Sequence, residues 1–272
     1  MSPPRSGHAS LPGTRPVGTH DERAASRQVR EMFSCIAPRY DLLNHVLSLR
    51  FDVMWRKRLA RRFAHILRRP DARVLDVCCG TGDLALALSD APMDSPSSAP
   101  ALLVGADFAH PMLVRAREKA AGSGRRRLQF VEADALSLPF ADETFDFVAT
   151  AFGFRNLANY SAGLTELRRI LKPGGWLAIL EFAEPRGALF RNLFQFYFRR
   201  VLPAIGAVVS GSAQAYSYLP ESVARFPAPH ELAELMDRTA FDEVAFESWS
   251  AGIVTLHKGR ARVQSLPRRG SI

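Results

Sequence analysis

Cysteine is nearly absent from this chain: three residues in 272, Cys35, Cys78 and Cys79. Three thiols are too few for a disulfide framework. The adjacent pair lacks the two-residue spacing that lets thiolates wrap one zinc. With no Cys/His cluster to complete a site, they read as small buried residues in a reducing compartment, and no metal is expected. Long apolar runs are missing too. Nothing approaches the roughly eighteen unbroken apolar residues of a membrane-spanning helix, and residues 1–20 lack the apolar core of a secretory signal. That segment is rich in Pro, Gly and Ser, so residues 1–24 are expected to form a disordered extension. Acids are in deficit, 27 Asp and Glu against 36 Lys and Arg, for a net charge of +9. Such an excess admits anionic partners or a merely solvated basic face. The basic residues are spread along the chain with no interleaved stacking platform, so no nucleic-acid partner is expected.

What is present suits one α/β domain. An apolar content of 47% over 272 residues is enough for a good core with appendages. The domain is placed at residues 25–260, with a flexible tail at 261–272. Residues 21–69 have apolar positions at helical spacing (Val29, Met32, Phe33, Ile36, then Leu42, Leu43, Val46, Leu47), divided by Pro38. Strands and helices then alternate. Strands are read at 73–78, 102–106, 128–132, 145–150 and 176–181, and helices begin near Asp83, at Pro111 and at Ser161. The helix from Ser161 to Leu171 is closed by Lys172-Pro-Gly-Gly. The stretch 91–100 (APMDSPSSAP) reads as a loop. Repeated βα units imply a mainly parallel sheet with helices on both faces. Two last strands, 244–249 and 253–257 around Ala251-Gly252, form a hairpin that makes the final strand antiparallel.

Residues 74–88 (VLDVCCGTGDLALAL) run from a strand through a glycine turn into a helix. Gly80 and Gly82 free backbone N–H groups and let a ligand approach closely. With Ala85, they also satisfy the dehydrogenase fingerprint, and Asp107 at the end of strand two suits ribose hydroxyls in either case. The glycines therefore leave dinucleotide and other nucleoside ligands open. Asp76 is a carboxylate inside an apolar strand, costly unless partnered. Asp83 stands where a pyrophosphate would lie. Both acids favour a cationic, phosphate-free ligand, and S-adenosylmethionine has an ammonium and a sulfonium. Against this, Asp83 is also an ordinary first-turn helix acid. Glu132-Ala-Asp-Ala135 after strand three adds Asp134, placed to accept an adenine amino hydrogen, and the Ala135 N–H.

Together, DVCCGTGD, ALSLPFADETFDFV, FGFRN, RILKPGG, YSYLPESVARFP and AGIVTLHKG resemble the menaquinone/ubiquinone C-methyltransferase family, as does the entry segment MFSCIAPRYDLLNHVLSLRFDVMWRK. The likeness runs from about Val29 to Gly259. It implies a class I S-adenosylmethionine-dependent methyltransferase: a Rossmann-like fold with seven strands, a final antiparallel hairpin, and N-terminal helices as a lid. It implies cofactor contacts at Thr81, Asp107, Asp134 and Ala135, beside Asp76, Gly80 and Gly82 from the turn. A serine often precedes the FG motif in the family; here Ala151 stands there, so that contact is not carried over.

The implied reaction is C-methylation of a prenylated hydroquinone, demethylmenaquinol or a ubiquinone precursor (2-polyprenyl-6-methoxy-1,4-benzoquinol). A phenol of pKa ~10 is about one part in a thousand ionised at pH 7, and closing that gap takes roughly 4 kcal/mol. A fixed cation beside the oxygen is one source. Arg155 is the candidate, with Asn156 orienting the oxygen or a water, and a water or Tyr40 carrying the proton. Arg155 pairing structurally with a nearby acid is an equal reading. Tyr40 and His45 also fit as caps of the lid helices. His230 and His257 are assigned nothing. Between 189 and 227, Phe190, Phe194, Phe198, Leu193 and Tyr197 lie at helical spacing among Arg191, Arg199 and Arg200. The stretch reads partly as pocket wall and partly as a docking face for anionic lipid, giving a cytoplasmic protein touching the inner membrane face. A homodimer is compatible with the sequence. An NAD-dependent oxidoreductase shares the first turn but gives no reason for Asp83, Asp134 or the final hairpin.

Overall fold

The computed structural model describes residues 13–41, 44, 48–90, 102–122, 128–185 and 213–263. The expected loop at 91–100, His45, and the aromatic and basic side chains at 190–200 lie outside the described residues.

Helix α1 (Glu22–Ile36) starts where Asp21 accepts a hydrogen bond from the Ala24 N–H at 2.7 Å, satisfying one of the orphan donors of the first turn. It runs into a short 3-10 turn at Ala37–Arg39, with Pro38 near its start. Helices α2 (Phe51–Arg62) and α3 (Ala64–Leu67) precede strand β1 (Arg73–Val77). Then follow α4 (Asp83–Ser89), β2 (Leu102–Asp107), α5 (His110–Ala121), β3 (Leu128–Glu132) and β4 (Phe145–Ala151). Helix α6 (Tyr160–Ile170) is capped by Asn159, whose side chain accepts from the Ala162 N–H. It leads into β5 (Leu171–Phe182), and the described chain closes with α7 (Ala213–Arg225), α8 (Pro229–Arg238), β6 (Phe241–Trp249) and β7 (Val254–Ala261).

Lys172-Pro-Gly-Gly does stop the helix, but one residue earlier than expected. Leu171 already pairs with Phe145, and the strand expected at 176–181 begins there. Gly174 takes φ +79° inside this lead-in, a backbone region that glycine enters without steric penalty.

The seven strands lie in the order β3-β2-β1-β4-β5-β7-β6. The first five are parallel, and β7 inserts antiparallel between β5 and β6. Two apolar layers follow from the period-two alternation of the central strands. Leu75, Val77 and Val148 face α6 and α8 through Leu164, Leu167, Leu232 and Met236. Val74, Phe147 and Ala149 face α2, α3 and α4 through Trp55, Leu59, Phe63, Leu84 and Leu88. Phe63 stacks on Phe147 with centroids 4.5 Å apart.

The expected disorder of residues 1–24 does not extend to 13–24. The Thr14 N–H donates to Leu157 O at 2.7 Å, Arg15 donates to Ala158 O, and Thr14 is 5% exposed. Pro, Gly and Ser content signals little apolar burial, but this strap is held by polar contacts that composition does not register.

Candidate active site

Strand order reverses between β1 and β4: the chain leaves β1 toward β2 on one side, and β4 and β5 continue on the other. At such a switch point the loops beyond the strands' carboxyl ends part and leave a crevice. A cleft open to solvent lies there. It is lined by the β1 turn (Asp76, Cys78 to Thr81, Asp83), the end of β2 (Asp107, Phe108), the loop after β3 (Ala133 to Leu136) and the loop after β4 (Ala151 to Gly153, Asn156). Ser26, Phe33, Tyr40 and Arg56 close it from the N-terminal helices.

The β1 turn is built from three residues with positive φ: Cys78 at +55°, Gly80 at +53° and Gly82 at +82°. A Cβ on Gly82 would also come 3.2 Å from the Phe130 ring. Gly153, in the loop after β4, lies so close that a Cβ there would meet Cys78 Cβ at 2.4 Å. Two motifs far apart in sequence, CCGTG and FGFRN, thus interlock. Burial pushes the Cys78 and Cys79 thiols well above their usual range, so neither is a ready nucleophile.

Asp76 is fully buried beneath the turn. Its Oδ2 accepts from the Ala85 N–H at 2.8 Å, and its Oδ1 has no hydrogen-bond partner among the described residues. Burial raises its pKa well above the carboxylate range, so an uncompensated negative charge here is unfavourable. Asp107 accepts from the Gly80 N–H at 2.8 Å and the Ala109 N–H at 2.9 Å. Burial pushes its pKa up to about 6, against those backbone donors. Asp134 accepts from the Leu136 N–H at 2.9 Å, and Ala135 is buried beside it.

Asp83 corrects an expectation. Its charge is expected to oppose a pyrophosphate and favour a cation, but Lys119 Nζ donates to its Oδ1, and Arg56 Nη1 lies 3.6 Å from its Oδ2. These cations offset much of its charge, although it lines the cleft and its Oδ2 has no hydrogen-bond partner among the described residues. The preference for a cationic ligand therefore rests more on Asp76, Asp107 and Asp134. Thr81 is similarly engaged: its hydroxyl donates to Asp41 Oδ1, and Lys119 donates to both Asp41 and Thr81.

For Arg155, read equally as a catalytic cation and as the partner of a nearby acid, the structure supplies such an acid. Its guanidinium is buried, donates to Glu181 Oε2 at 3.0 Å and to Phe152 O, and reaches Ser222 Oγ at 3.3 Å. Arg155 is not among the described residues that line the cleft, whereas Asn156 and Tyr40 are. The reason is topological: Glu181 ends β5 beside the loop after β4, and it also accepts the Arg155 backbone N–H at 3.0 Å. Burial raises the Tyr40 pKa, with the Asn44 hydrogen bond and the charges of Arg155 and Arg56 opposing it. Tyr40 is therefore protonated at neutral pH and is no resting base.

Among the described residues, the cation that does line the cleft is Arg56, which the sequence reading missed. It is 6% exposed, donates to Asp52 at 2.5 Å and lies 5.5 Å from the centre of the Phe152 ring. The Asp52/Arg56 spacing of four is legible as a helix ion pair, but nothing local says that the pair faces a ligand. His257 is buried with its Nε2 against Pro229 O at 2.9 Å and its Nδ1 without a hydrogen-bond partner among the described residues.

The chain matches the model of the ubiE/COQ5 methyltransferase family over residues 21–261. It is 48% identical over 248 residues to the demethylmenaquinone methyltransferase of Deinococcus radiodurans, covering 91% of this chain and 97% of that one. It is 44% identical to the ubiquinone/menaquinone biosynthesis C-methyltransferase UbiE of Geobacter sulfurreducens, over 85% of this chain and 88% of that one. Among solved structures, the cyclase SpnF superposes with a TM-score of 0.64 at 19% identity, covering 94% of this chain and 100% of that chain. An S-adenosylmethionine-dependent methyltransferase of Thermotoga maritima superposes at 0.54 and 20% identity, covering 86% and 100%. Similarity at that level shows the fold alone.

Proposed function

The chain belongs to the ubiE/COQ5 methyltransferase family and is an S-adenosylmethionine-dependent methyltransferase; from that premise we propose that its acceptor is a ring carbon of demethylmenaquinol. The observation that carries this choice is the 48% identity to a relative named demethylmenaquinone methyltransferase, over nearly the whole of both chains. The Geobacter relative, named for both pathways, favours a second reading, with the ubiquinone precursor as an additional acceptor.

The cleft fits the donor. Asp76 offers a buried carboxyl oxygen without a hydrogen-bond partner among the described residues, which an ammonium would satisfy. Asp107 keeps lone pairs for two ribose hydroxyls beside its two backbone bonds. Asp134 and the Ala135 N–H sit where an adenine edge would lie, and Gly80, Thr81 and Gly82 provide the open backbone of the turn. When bound, the donor supplies an electrophilic methyl on a positively charged sulfur.

The protein's part is to hold the acceptor ring and manage its hydroxyl proton. Asn156 donates toward the ring oxygen, and Tyr40 passes the proton outward, giving its own as it receives one. Arg155 contributes from behind the loop, fixing the backbone next to Asn156 and placing positive charge near Tyr40. Preorganised donors of this kind act where charge develops, at low local dielectric. Residues 25–260 form the methyltransferase domain in this reading, with α1 and α2 as its lid.

Among the described residues, no helix is long and apolar enough to cross a membrane. A prenylated acceptor partitions into bilayers, and we place the protein at the inner membrane face, with the aromatic and basic stretch 190–200 as its contact. Incubation with labelled S-adenosylmethionine and either reduced demethylmenaquinone or the reduced ubiquinone precursor tests the acceptor. One methyl gained on the first is the expected result; none on either would overturn the proposal.

A further inference from the structure

The strap at residues 13–15 runs behind the loop that supplies Asn156 to the cleft. Its backbone meets that loop directly: the Thr14 N–H donates to Leu157 O at 2.7 Å, and Arg15 Nη1 donates to Ala158 O at 2.6 Å. The approach is so close that a Cβ on Gly13 would come 2.0 Å from the Ala158 carbonyl carbon. From the other side, α7 brings Tyr218. Its hydroxyl donates to Asn156 Oδ1 at 3.0 Å and lies 3.0 Å from Thr14 Oγ1.

A tyrosine hydroxyl has one proton. With that proton given to Asn156 Oδ1, the Tyr218 oxygen is an acceptor toward Thr14, so the Thr14 hydroxyl is the donor. The chain is therefore directional, from Thr14 to Tyr218 to Asn156. It ends by holding the oxygen of the Asn156 amide, which leaves the N–H end for the cleft. An unheld amide can turn over and present its oxygen, which would repel a developing phenolate rather than stabilise it. Thr14 is 5% exposed, so water does not readily replace it as a donor.

We infer that Thr14 and Tyr218 are positioning residues that fix the Asn156 side-chain amide in its donor orientation toward the acceptor, so that an N-terminal strap outside the sheet sets the polarity of the acceptor site. This rests on the reading of Asn156 as an acceptor-site residue. The strap contributes no atom to the reaction. Three of its contacts (the backbone bond to Leu157, the Arg15 bond to Ala158 and the hydroxyl chain) converge on the residues following Arg155; Arg15 also meets Glu22 and Arg225.

The test uses the full chain, with labelled S-adenosylmethionine and reduced demethylmenaquinone, and compares Tyr218→Phe, Thr14→Val, Thr14→Ser, their combination Thr14→Val/Tyr218→Phe, and Asn156→Ala. Tyr218→Phe should lower kcat/KM for the quinol about tenfold, with S-adenosylmethionine affinity and melting temperature close to those of the parent. Thr14→Val should lose severalfold in the same direction, and Thr14→Ser should restore it. Because the two hydroxyls act in series, the combination should be no worse than Tyr218→Phe alone; residues that share one network are not additive. Parental kinetics in Tyr218→Phe with a clear loss in Asn156→Ala would overturn the relay alone. Parental kinetics in Asn156→Ala would overturn both the relay and the site reading beneath it. Additive losses, or losses that track the melting temperature, would assign the strap a purely structural role and also overturn the relay.

Discussion

Arg155 Nη1 donates to Glu181 Oε2 across 3.0 Å, with both side chains buried between the loop after β4 and the end of β5. Removing one member of such a pair leaves a buried charge uncompensated and typically costs about 3–5 kcal/mol. Arg155→Ala should therefore destabilise the fold by roughly that amount. Arg155→Met combined with Glu181→Leu should regain much of it, because neither charge is then stranded. Urea unfolding of the parent and these two variants measures this. A turnover loss in Arg155→Ala with unchanged stability would return the guanidinium to the chemistry.

Gly153 and Cys78 give a second prediction. A methyl added at Gly153 meets Cys78 Cβ at 2.4 Å, so Gly153→Ala must displace the β1 turn and should cost about 1–3 kcal/mol, as overpacking does. Cys78 has φ +55°, so Cys78→Gly both removes the clashing atom and relieves the backbone. The double variant should be more stable than Gly153→Ala alone. Equal stability of the two would show that the interlock of the two motifs is looser than their geometry.

Asp107 should link S-adenosylmethionine binding to pH. Its folded pKa of about 6 lies above the ordinary 3.8, so the unliganded fold retains a proton that the unfolded chain has released. Stability is thus lost as pH rises from 3.8 through 6, by about 3 kcal/mol in all. Hydroxyl donors from a ribose favour the carboxylate, so binding expels the proton. Affinity should rise up to about tenfold per pH unit between 5 and 6, then level off. Calorimetry in two buffers of different ionisation enthalpy should detect the released proton at pH 5.5. Asp107→Asn should bind more weakly and without this slope; a parental slope in that variant would place the titration elsewhere.

His257 works in the opposite direction. Burial lowers its pKa to about 4 from 6.5, against the Pro229 hydrogen bond. The unfolded chain takes up the proton first as pH falls, so this group's contribution is complete above pH 6.5 and declines toward pH 4, by about 3 kcal/mol. His257→Leu strands the Pro229 carbonyl, at a cost of about 1–3 kcal/mol at pH 7. It should nevertheless lose less stability than the parent between pH 6.5 and 4.5. Comparing the two proteins cancels the Asp107 titration, which both share. Parallel pH–stability curves would exclude His257 as the source.

Much of this was legible in the chain. Period-two and 3.6-residue patterns located β1 to β4 and the helices between them, because each element must bury one face whatever surrounds it. The glycines at 80 and 82 marked the turn, since positive φ is a local demand. The acids Asp76, Asp107 and Asp134 at successive strand ends marked a ligand crevice, because topology alone brings those ends together. What stayed hidden was which partner each polar side chain would find. Asp83 read as free charge until α2 and α5 brought Arg56 and Lys119 to it. Arg155 read equally as catalytic or structural until β5 set Glu181 beside it. Residues 13–20 read as disordered because their hold on the domain is polar, made by Tyr218, Leu157 and Ala158 from distant parts of the chain.

The sequence by itself determined the elements, their order, the glycine turn after β1 and the family to which the chain belongs. Backbone preference, apolar periodicity and motif spacing are properties of neighbours along the chain. Tertiary structure alone decided which charges face the cleft and which are cancelled. Pairing of buried charges depends on distances of a few ångströms between elements far apart in sequence, and at such distances a single partner decides whether a side chain is available for chemistry.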